Sequence, residues 1–145
     1  MTTAPFTIQD AEALATRLHE GQFRRDGVTP YITHPRAVAE SLAGESDEVI
    51  MAAWLHDVLE DTEATESSLG AAGVPESVTD IVYLLTRAED EPYHAYLSWI
   101  EMDPLATKVK IADIRHNLSC DPTPEQIEKY RRALEILEPP TPPTP

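Results

Sequence analysis

Apolar residues recur at intervals of three and four along this chain, and nowhere alternate with polar ones over the length of a strand. A period near 3.6 buries one face of a helix, whereas a half-buried strand needs a period of two. The pattern therefore excludes a sheet and predicts an all-α fold. Ile8, Ala11, Leu14, Ala15 and Leu18 form the first stripe, behind Thr7 as a cap with Asp10 three residues on, and Gly21 ends it. Residues 22–33 hold turn formers without a period and are expected to form a loop. Pro35 suits the first turn of a helix over residues 35–42; a further helix is expected over residues 47–59 and a short one over 66–71. Val78, Ile81, Val82 and Leu85 follow Pro75, and Tyr93, Tyr96, Leu97 and Ile100 follow Pro92. Asp103-Pro104 is a cap plus first-turn proline opening a helix to Leu118, and residues 125–137 form the last. Seven or eight helices joined by short turns, with no internal repeat, make a single helical bundle over residues 1–138. Five of the 13 prolines fall in residues 139–145, which are expected to form a disordered, extended tail, with a Pro-rich partner motif as the alternative.

Composition narrows the function classes. A chain of 145 residues with 41% apolar content is expected to form one domain with a hydrophobic core. The formal charge of -15, from 26 acidic and 11 basic residues, argues against nucleic acid or an anionic membrane as partner. A lone cysteine, Cys120, allows no internal disulfide. No apolar run is long enough to span a bilayer, and residues 1–5 lack a signal pattern, so a cytoplasmic location is expected. An acidic chain also looks a poor host for an anionic substrate.

Three segments put polar residues where a core helix does not want them. In the string from Trp54 to Thr62, His56, Glu60, Asp57 and Asp61 fall at about 0°, 40°, 100° and 140° on a helical wheel, opposite Leu55, Val58 and Leu59. Carboxylates crowded in this way repel one another unless a positive centre sits among them, and a divalent metal is the economical answer. His34 stands just before a helix start, between Thr33 and Pro35. Asp113 lies in mid-helix among Ile111, Ala112 and Ile114, sharing a face with Lys110 and Asn117, and is costly to bury without a partner. Each segment alone also has a plain reading: a solvated acidic face, a histidine at an N-cap, a salt-bridged aspartate. Together, two imidazoles (His34, His56) and two carboxylates (Asp57, Asp113) suit Mn²⁺, Fe²⁺ or Zn²⁺ better than Ca²⁺. Glu60 and Asp61, one turn further on, stand where they would orient a water or take its proton.

These segments resemble the HD-domain metal-dependent phosphohydrolases, and in particular the hydrolase domain of alarmone synthetase/hydrolases and the stand-alone small alarmone hydrolases of the metazoan SpoT homologue type. The resemblance runs from about Leu18 to Leu118 through linked motifs in order. They are His19-Glu-Gly-Gln22-Phe-Arg24-Arg25, Pro30-Tyr31-Ile32-Thr33-His34-Pro35, Leu55-His56-Asp57-Val58-Leu59-Glu60-Asp61-Thr62, and Val109-Lys110-Ile111-Ala112-Asp113 with Asn117. It implies an HD-type hydrolase domain with His34, His56, Asp57 and Asp113 as Mn²⁺ ligands and Glu60 and Asp61 as the catalytic acidic pair. It further implies Arg24 stacked on guanine, Arg25 beside it, and Tyr31 and Asn117 lining the nucleotide pocket; Lys110 is expected among the substrate contacts. The implied reaction removes the 3′-pyrophosphate of guanosine tetra- or pentaphosphate, giving GDP or GTP and pyrophosphate. Departures are the longer loop from Asp26 to Pro30, the order Ile114-Arg115-His116, and a shortened stretch between Thr86 and Asp103; with no synthetase domain, alarmone synthesis is not expected.

Other phosphorylated nucleotides (an adenosine alarmone, a deoxynucleoside triphosphate, NADPH), a catalytically silent nucleotide sensor and a plain helical interaction module remain alternatives. His94 and His116 are expected at the surface or in packing, His116 on the far side of its helix from the site. Trp54 and Trp99 are expected in the core, and residues 89–91 in a solvated loop. Six basic residues (Arg24, Arg25, Arg36, Lys108, Lys110 and Arg115) lie in or beside the motifs, so a local positive field is expected to offset the overall charge.

Overall fold

Asp-Glu-Val-Ile-Met-Ala-Ala-Trp-Leu is apolar on nearly every side after its acidic first turn, so this helix needs neighbours all around it. In the computed structural model, which describes residues 4–138, it is the central helix of the bundle. The elements are α1 (Ile8–Leu18), α2 (Thr33–Ser41), α3 (Asp47–Leu55), α4 (Val58–Asp61), α5 (Glu66–Ala71), α6 (Glu76–Leu84), α7 (Tyr93–Glu101), α8 (Pro104–Leu118) and α9 (Pro124–Leu137). The central α3 packs against α1, α2, α6 and α8, while α9 lies across α7 and α8. Val49, Ala52, Ala53, Leu55 and Val58 are fully buried, and Trp54 is buried with them. Each large apolar side chain so buried contributes roughly 1.5–3 kcal/mol. The expected all-α bundle is thus observed among the described residues; counting the single turn α4 with α3 gives eight helices, and counting it apart gives nine. The proline run at 139–145 lies outside the described residues.

The caps stop and start the helices where the sequence places them. Thr7 and Asp10 form the anticipated capping box, and Asp103 Oδ1 accepts from the amides of Leu105 and Ala106 at 2.9 and 3.1 Å. Asp103→Ala is expected to lower stability by about 1 kcal/mol, read as a shift in urea midpoint with unchanged slope. The loop after α1 is a tight excursion: Phe23 and Pro30 form an isolated antiparallel bridge, and the Arg24 amide donates to Thr29 O at 2.7 Å. Asp26 ties the tip, its Oδ1 accepting from the Val28 and Thr29 amides, and the Thr29 hydrogen bonds lower its pKa to about 2. Gly27, at φ +77°, supplies the left-handed residue this tip needs. The loop thereby holds Arg24, Arg25 and Tyr31 over the bundle.

Two packing expectations are corrected. Trp99 is 59% exposed, because α7 turns Tyr96, Leu97 and Ile100 to the core and leaves position 99 outside. The helix expected over residues 47–59 is interrupted at His56-Asp57. Trp54 is buried, and His94 and residues 89–90 are exposed, as expected.

Candidate metal centre

Adjacent residues on an unbroken helix point about 100° apart and do not face one another. His56 and Asp57 escape that limit because helical structure stops at Leu55 and resumes only at Val58. In the break, His56 Nδ1 donates to the Ala53 carbonyl at 2.7 Å, while Nε2 lies 3.1 Å from Asp57 Oδ2. The wheel drawn for a continuous helix therefore misplaces these two side chains relative to each other, although both stand in the cluster that the fold assembles.

The first turn of α2 brings His34, and the middle of α8 brings Asp113, to the same point. His34 Nε2 is 2.8 Å from Asp113 Oδ1 and 3.7 Å from Asp57 Oδ2, and His56 Nε2 is 3.4 Å from Asp113 Oδ1. Most of this lies inside the bundle: His34 is 1%, His56 3% and Asp113 6% exposed, with Asp57 partly buried. A divalent ion with donors at roughly 2.0–2.1 Å sets neighbouring donors about 3.0 Å apart if octahedral and about 3.3 Å apart if tetrahedral. The four imidazole–carboxylate distances run from 2.8 to 3.7 Å, on either side of that spacing. A second observation bears on the fit. His56 Nε2 is buried and makes no hydrogen bond, although carboxylate oxygens flank it. With Nδ1–H given to Ala53, a neutral ring presents a lone pair at Nε2, the arrangement of a metal-ligating histidine. The donor set suits a divalent metal.

The electrostatics follow from four polar groups in a dry setting. Burial favours the neutral form of Asp57, but His56 outweighs it and lowers its pKa to about 2. Burial likewise opposes ionisation of Asp113, yet Lys110, His34 and His56 hold it well below the carboxylate range. Burial disfavours a charged His56, and the Asp57 and Asp113 carboxylates overcome this and raise its pKa. The centre is thus primed for positive charge.

Around it stand the other residues singled out from the sequence. Tyr31 OH donates to Asp57 Oδ2 at 2.7 Å. Asn117 Nδ2 donates to Asp113 Oδ1 at 3.2 Å, and its Oδ1 accepts from Arg24 Nη2 at 3.2 Å. The Arg24 guanidinium also lies over the Tyr31 ring, 5.7 Å from its centroid. Lys110 Nζ pairs with Asp113 Oδ2 at 2.9 Å and lies over Tyr96. Arg25 reaches the Asp121 carbonyl and Gln126 Oε1, tying the loop to the start of α9. Arg24, Arg25, Tyr31, His116 and Asn117 line a cavity of about 900 Å³ that opens beside the centre. On the other flank, one carboxylate oxygen each from Asp57, Glu60 and Asp61 lie within 4.8 Å of one another. Glu60 Oε1 accepts from the Arg87 amide at 2.6 Å. Burial, helped by the Asp57 charge, raises the pKa of both Glu60 and Asp61.

Several neighbours were not foreseen. His116 is corrected: it is not on the far side of α8 but contacts His34, Nδ1 to Nδ1 at 2.7 Å. Its spacing of three from Asp113 on one helix was the available signal. His19, buried against Tyr31, contacts Gln22 Oε1 through Nδ1 at 2.8 Å, and Gln22 Nε2 donates to the Asp61 carbonyl at 2.7 Å. Arg87 and Lys129 both lie over the Tyr93 ring, 5.3 and 4.4 Å from its centroid. Of the six basic residues expected near the site, Arg24 and Arg25 line the cavity, while Lys108 and Arg115 form surface ion pairs with Glu45 and Glu138.

Fold and site together define an all-α protein that brings two imidazoles and two carboxylates together at a helix break, a donor set that could hold a divalent metal. The chain belongs to the HD domain family, whose model matches residues 11–135. It is 36% identical over 137 residues to the guanosine-3′,5′-bis(diphosphate) 3′-pyrophosphohydrolase of Haemophilus influenzae, covering 86% of this chain and 20% of that protein. It is 35% identical over 143 residues to the bifunctional (p)ppGpp synthase/hydrolase SpoT of Escherichia coli K12, covering 90% and 20%. A probable GTP pyrophosphokinase of Mycobacterium leprae is 37% identical over 145 residues, covering 91% and 18%. The chain thus spans about a fifth of the length of these curated relatives. The solved structure of a metazoan orthologue of SpoT, described as hydrolysing ppGpp, superposes with a TM-score of 0.76 at 23% identity, covering 95% of this chain and 89% of that one. At that identity the likeness shows the fold. No helix among the described residues is long and apolar enough to cross a membrane.

Proposed function

We propose that the chain is a Mn²⁺-dependent hydrolase that removes the 3′-pyrophosphate from guanosine tetra- or pentaphosphate, leaving GDP or GTP and pyrophosphate. The observation that carries this reading is the convergence of His34, His56, Asp57 and Asp113 between an acidic pair and an arginine-lined cavity. The names of the relatives, which include this hydrolysis, support the choice of substrate. A divalent ion held by these four side chains would supply Lewis acidity towards a phosphoryl oxygen and an attacking water. Glu60 and Asp61, raised in pKa by burial, would orient that water and take its proton. The water would attack the phosphorus bonded to the 3′ oxygen; the P–O3′ bond breaks, and the 3′ oxygen leaves with its electron pair and takes up the proton that the acidic pair removed from the water. Arg24, with Asn117 fixing its guanidinium, would stack on the guanine, Arg25 and Tyr31 would border it, and Lys110 would act through Asp113. Arg87 and Lys129 add positive charge near Glu60, as a polyphosphate requires. The location consistent with this substrate is the cytoplasm.

Purified protein with Mn²⁺ and a panel of nucleotides tests the assignment. Guanosine tetraphosphate is expected to yield GDP and pyrophosphate, and no turnover of any guanosine 3′-pyrophosphate would sink it; turnover of an adenosine alarmone, a deoxynucleoside triphosphate or NADPH instead would redirect it. A second expectation concerns pH. A base works ionised, so kcat/KM should fall as pH drops through a carboxylate pKa that burial has raised. A pH–rate profile with no acid limb would contradict Glu60 and Asp61 as the base. Arg24→Ala is expected to raise KM about tenfold or more with a smaller change in kcat, since it removes nucleotide binding rather than chemistry; steady-state kinetics separate the two.

A further inference from the structure

The His34 ring makes a contact that neither the ligand set nor the acidic pair explains. Its Nδ1 lies 2.7 Å from Nδ1 of His116, and the two rings stack at 28° with centroids 4.9 Å apart. Two imidazole nitrogens form a hydrogen bond only when one of them carries the proton. A neutral histidine that offers Nε2 to a cation carries its proton on Nδ1. His34 as a ligand therefore donates from Nδ1, and His116 must accept with a bare Nδ1 and keep its own proton on Nε2. At that end Cys120 Sγ lies 3.6 Å from His116 Nε2, a weak acceptor suitably placed. The opposite arrangement has a proton on His34 Nε2 shared with Asp113 Oδ1 at 2.8 Å, and it occupies the lone pair that a cation needs.

Local structure explains why His116 can do this. It stands on α8 three residues after the ligand Asp113 and one before Asn117, so a single helix presents a ligand, a partner of that ligand and a partner of His34. Asp113 and His116 thus stand at the two nitrogens of the same ring, Asp113 beside Nε2 and His116 against Nδ1. We propose that His116 is a positioning residue which holds His34 as its Nδ1–H tautomer, with the Nε2 lone pair turned to the metal centre. This rests on the reading of His34 as a metal ligand.

Long-range nitrogen–proton correlation spectra of the wild-type chain loaded with diamagnetic Zn²⁺ read the tautomers directly. The expected pattern is a proton on Nδ1 of His34 and on Nε2 of His116; a proton on Nδ1 of His116 in the loaded protein overturns the proposal. Calorimetric titration with Mn²⁺ provides a second readout. His116→Phe keeps a ring without an acceptor and is expected to weaken binding about 10- to 100-fold. His116→Asn puts Oδ1 where Nδ1 stood and should keep wild-type affinity. Undiminished binding by His116→Phe, or equal loss in both variants, overturns the proposal. His34→Ala separates the two readings. If it binds Mn²⁺ like wild type, the ligand assignment itself fails. If it loses the metal while His116→Phe does not, only the tautomer role fails.

Discussion

Glu60→Gln is expected to cut kcat by about 10²–10⁴-fold, the usual contribution of a positioned base, while leaving Mn²⁺ binding intact. Gln is nearly isosteric with Glu, and its carbonyl oxygen can still accept from the Arg87 amide, so the loop after α6 stays anchored to α4. What the variant lacks is a group able to ionise beside Asp57 and Asp61. The four candidate ligands do not include Glu60, so metal content of the purified variant should match wild type. A sensor that only binds nucleotide would keep its ligand affinity in this variant and show no turnover in either form. Loss of metal together with loss of rate would instead make Glu60 a ligand. Full retention of kcat would remove it from the chemistry and leave Asp61 as the base.

Lys110→Met is expected to destabilise the fold by about 3–5 kcal/mol, because it strands the buried Asp113 carboxylate without its cation. The pair lies mostly out of solvent, with side-chain exposures of 14% for Lys110 and 8% for Asp113, so screening removes little of the effect. The pH dependence has a definite sign. Asp113 is depressed below its unfolded value of roughly 3.9. Its contribution to stability is therefore present above that value and disappears as pH falls through the depressed folded one. The gap between wild type and variant in urea melts should be wide at pH 7 and should narrow in acid. Lys110→Met combined with Asp113→Leu removes both charges and should recover most of the lost stability, yet bind Mn²⁺ more weakly than wild type. A single variant as stable as wild type at pH 7 would show that Asn117 and the imidazoles satisfy Asp113 unaided.

Helix placement was legible because its determinants are local. The Thr7–Asp10 box, the Asp103-Pro104 start and the ends of α5 and α8 depend on residues three or four apart, and all stand where the pattern puts them. Trp99 shows where such reasoning stops. Large aromatic residues are usually buried, but α7 has a core on one side only, and position 99 falls on the other. His116 was misjudged for a related reason. Its neighbour is His34, 82 positions away in the chain, and no periodicity within α8 reports on what packs opposite it. Arg87 and Lys129 belong to no motif and meet only because α9 crosses the end of α7.

The sequence by itself determined the all-α class and the caps, since short spacing suffices for these, and singled out two histidines and two aspartates as candidates by residue type and resemblance. Only the tertiary structure decided how they meet. The interruption between α3 and α4 lets His56 and Asp57 converge where a continuous helix would splay them, and the packing of α2 and α8 on α3 brings His34 and Asp113 to the same point. It also sorted the cations, giving Lys108 and Arg115 to the surface and Lys110 to Asp113, while Arg24 and Arg25 border the cavity. Charge along a chain sums without regard to position, whereas the field at a site falls with distance and is strengthened by burial, so a net of -15 coexists with a cavity bordered by Arg24 and Arg25.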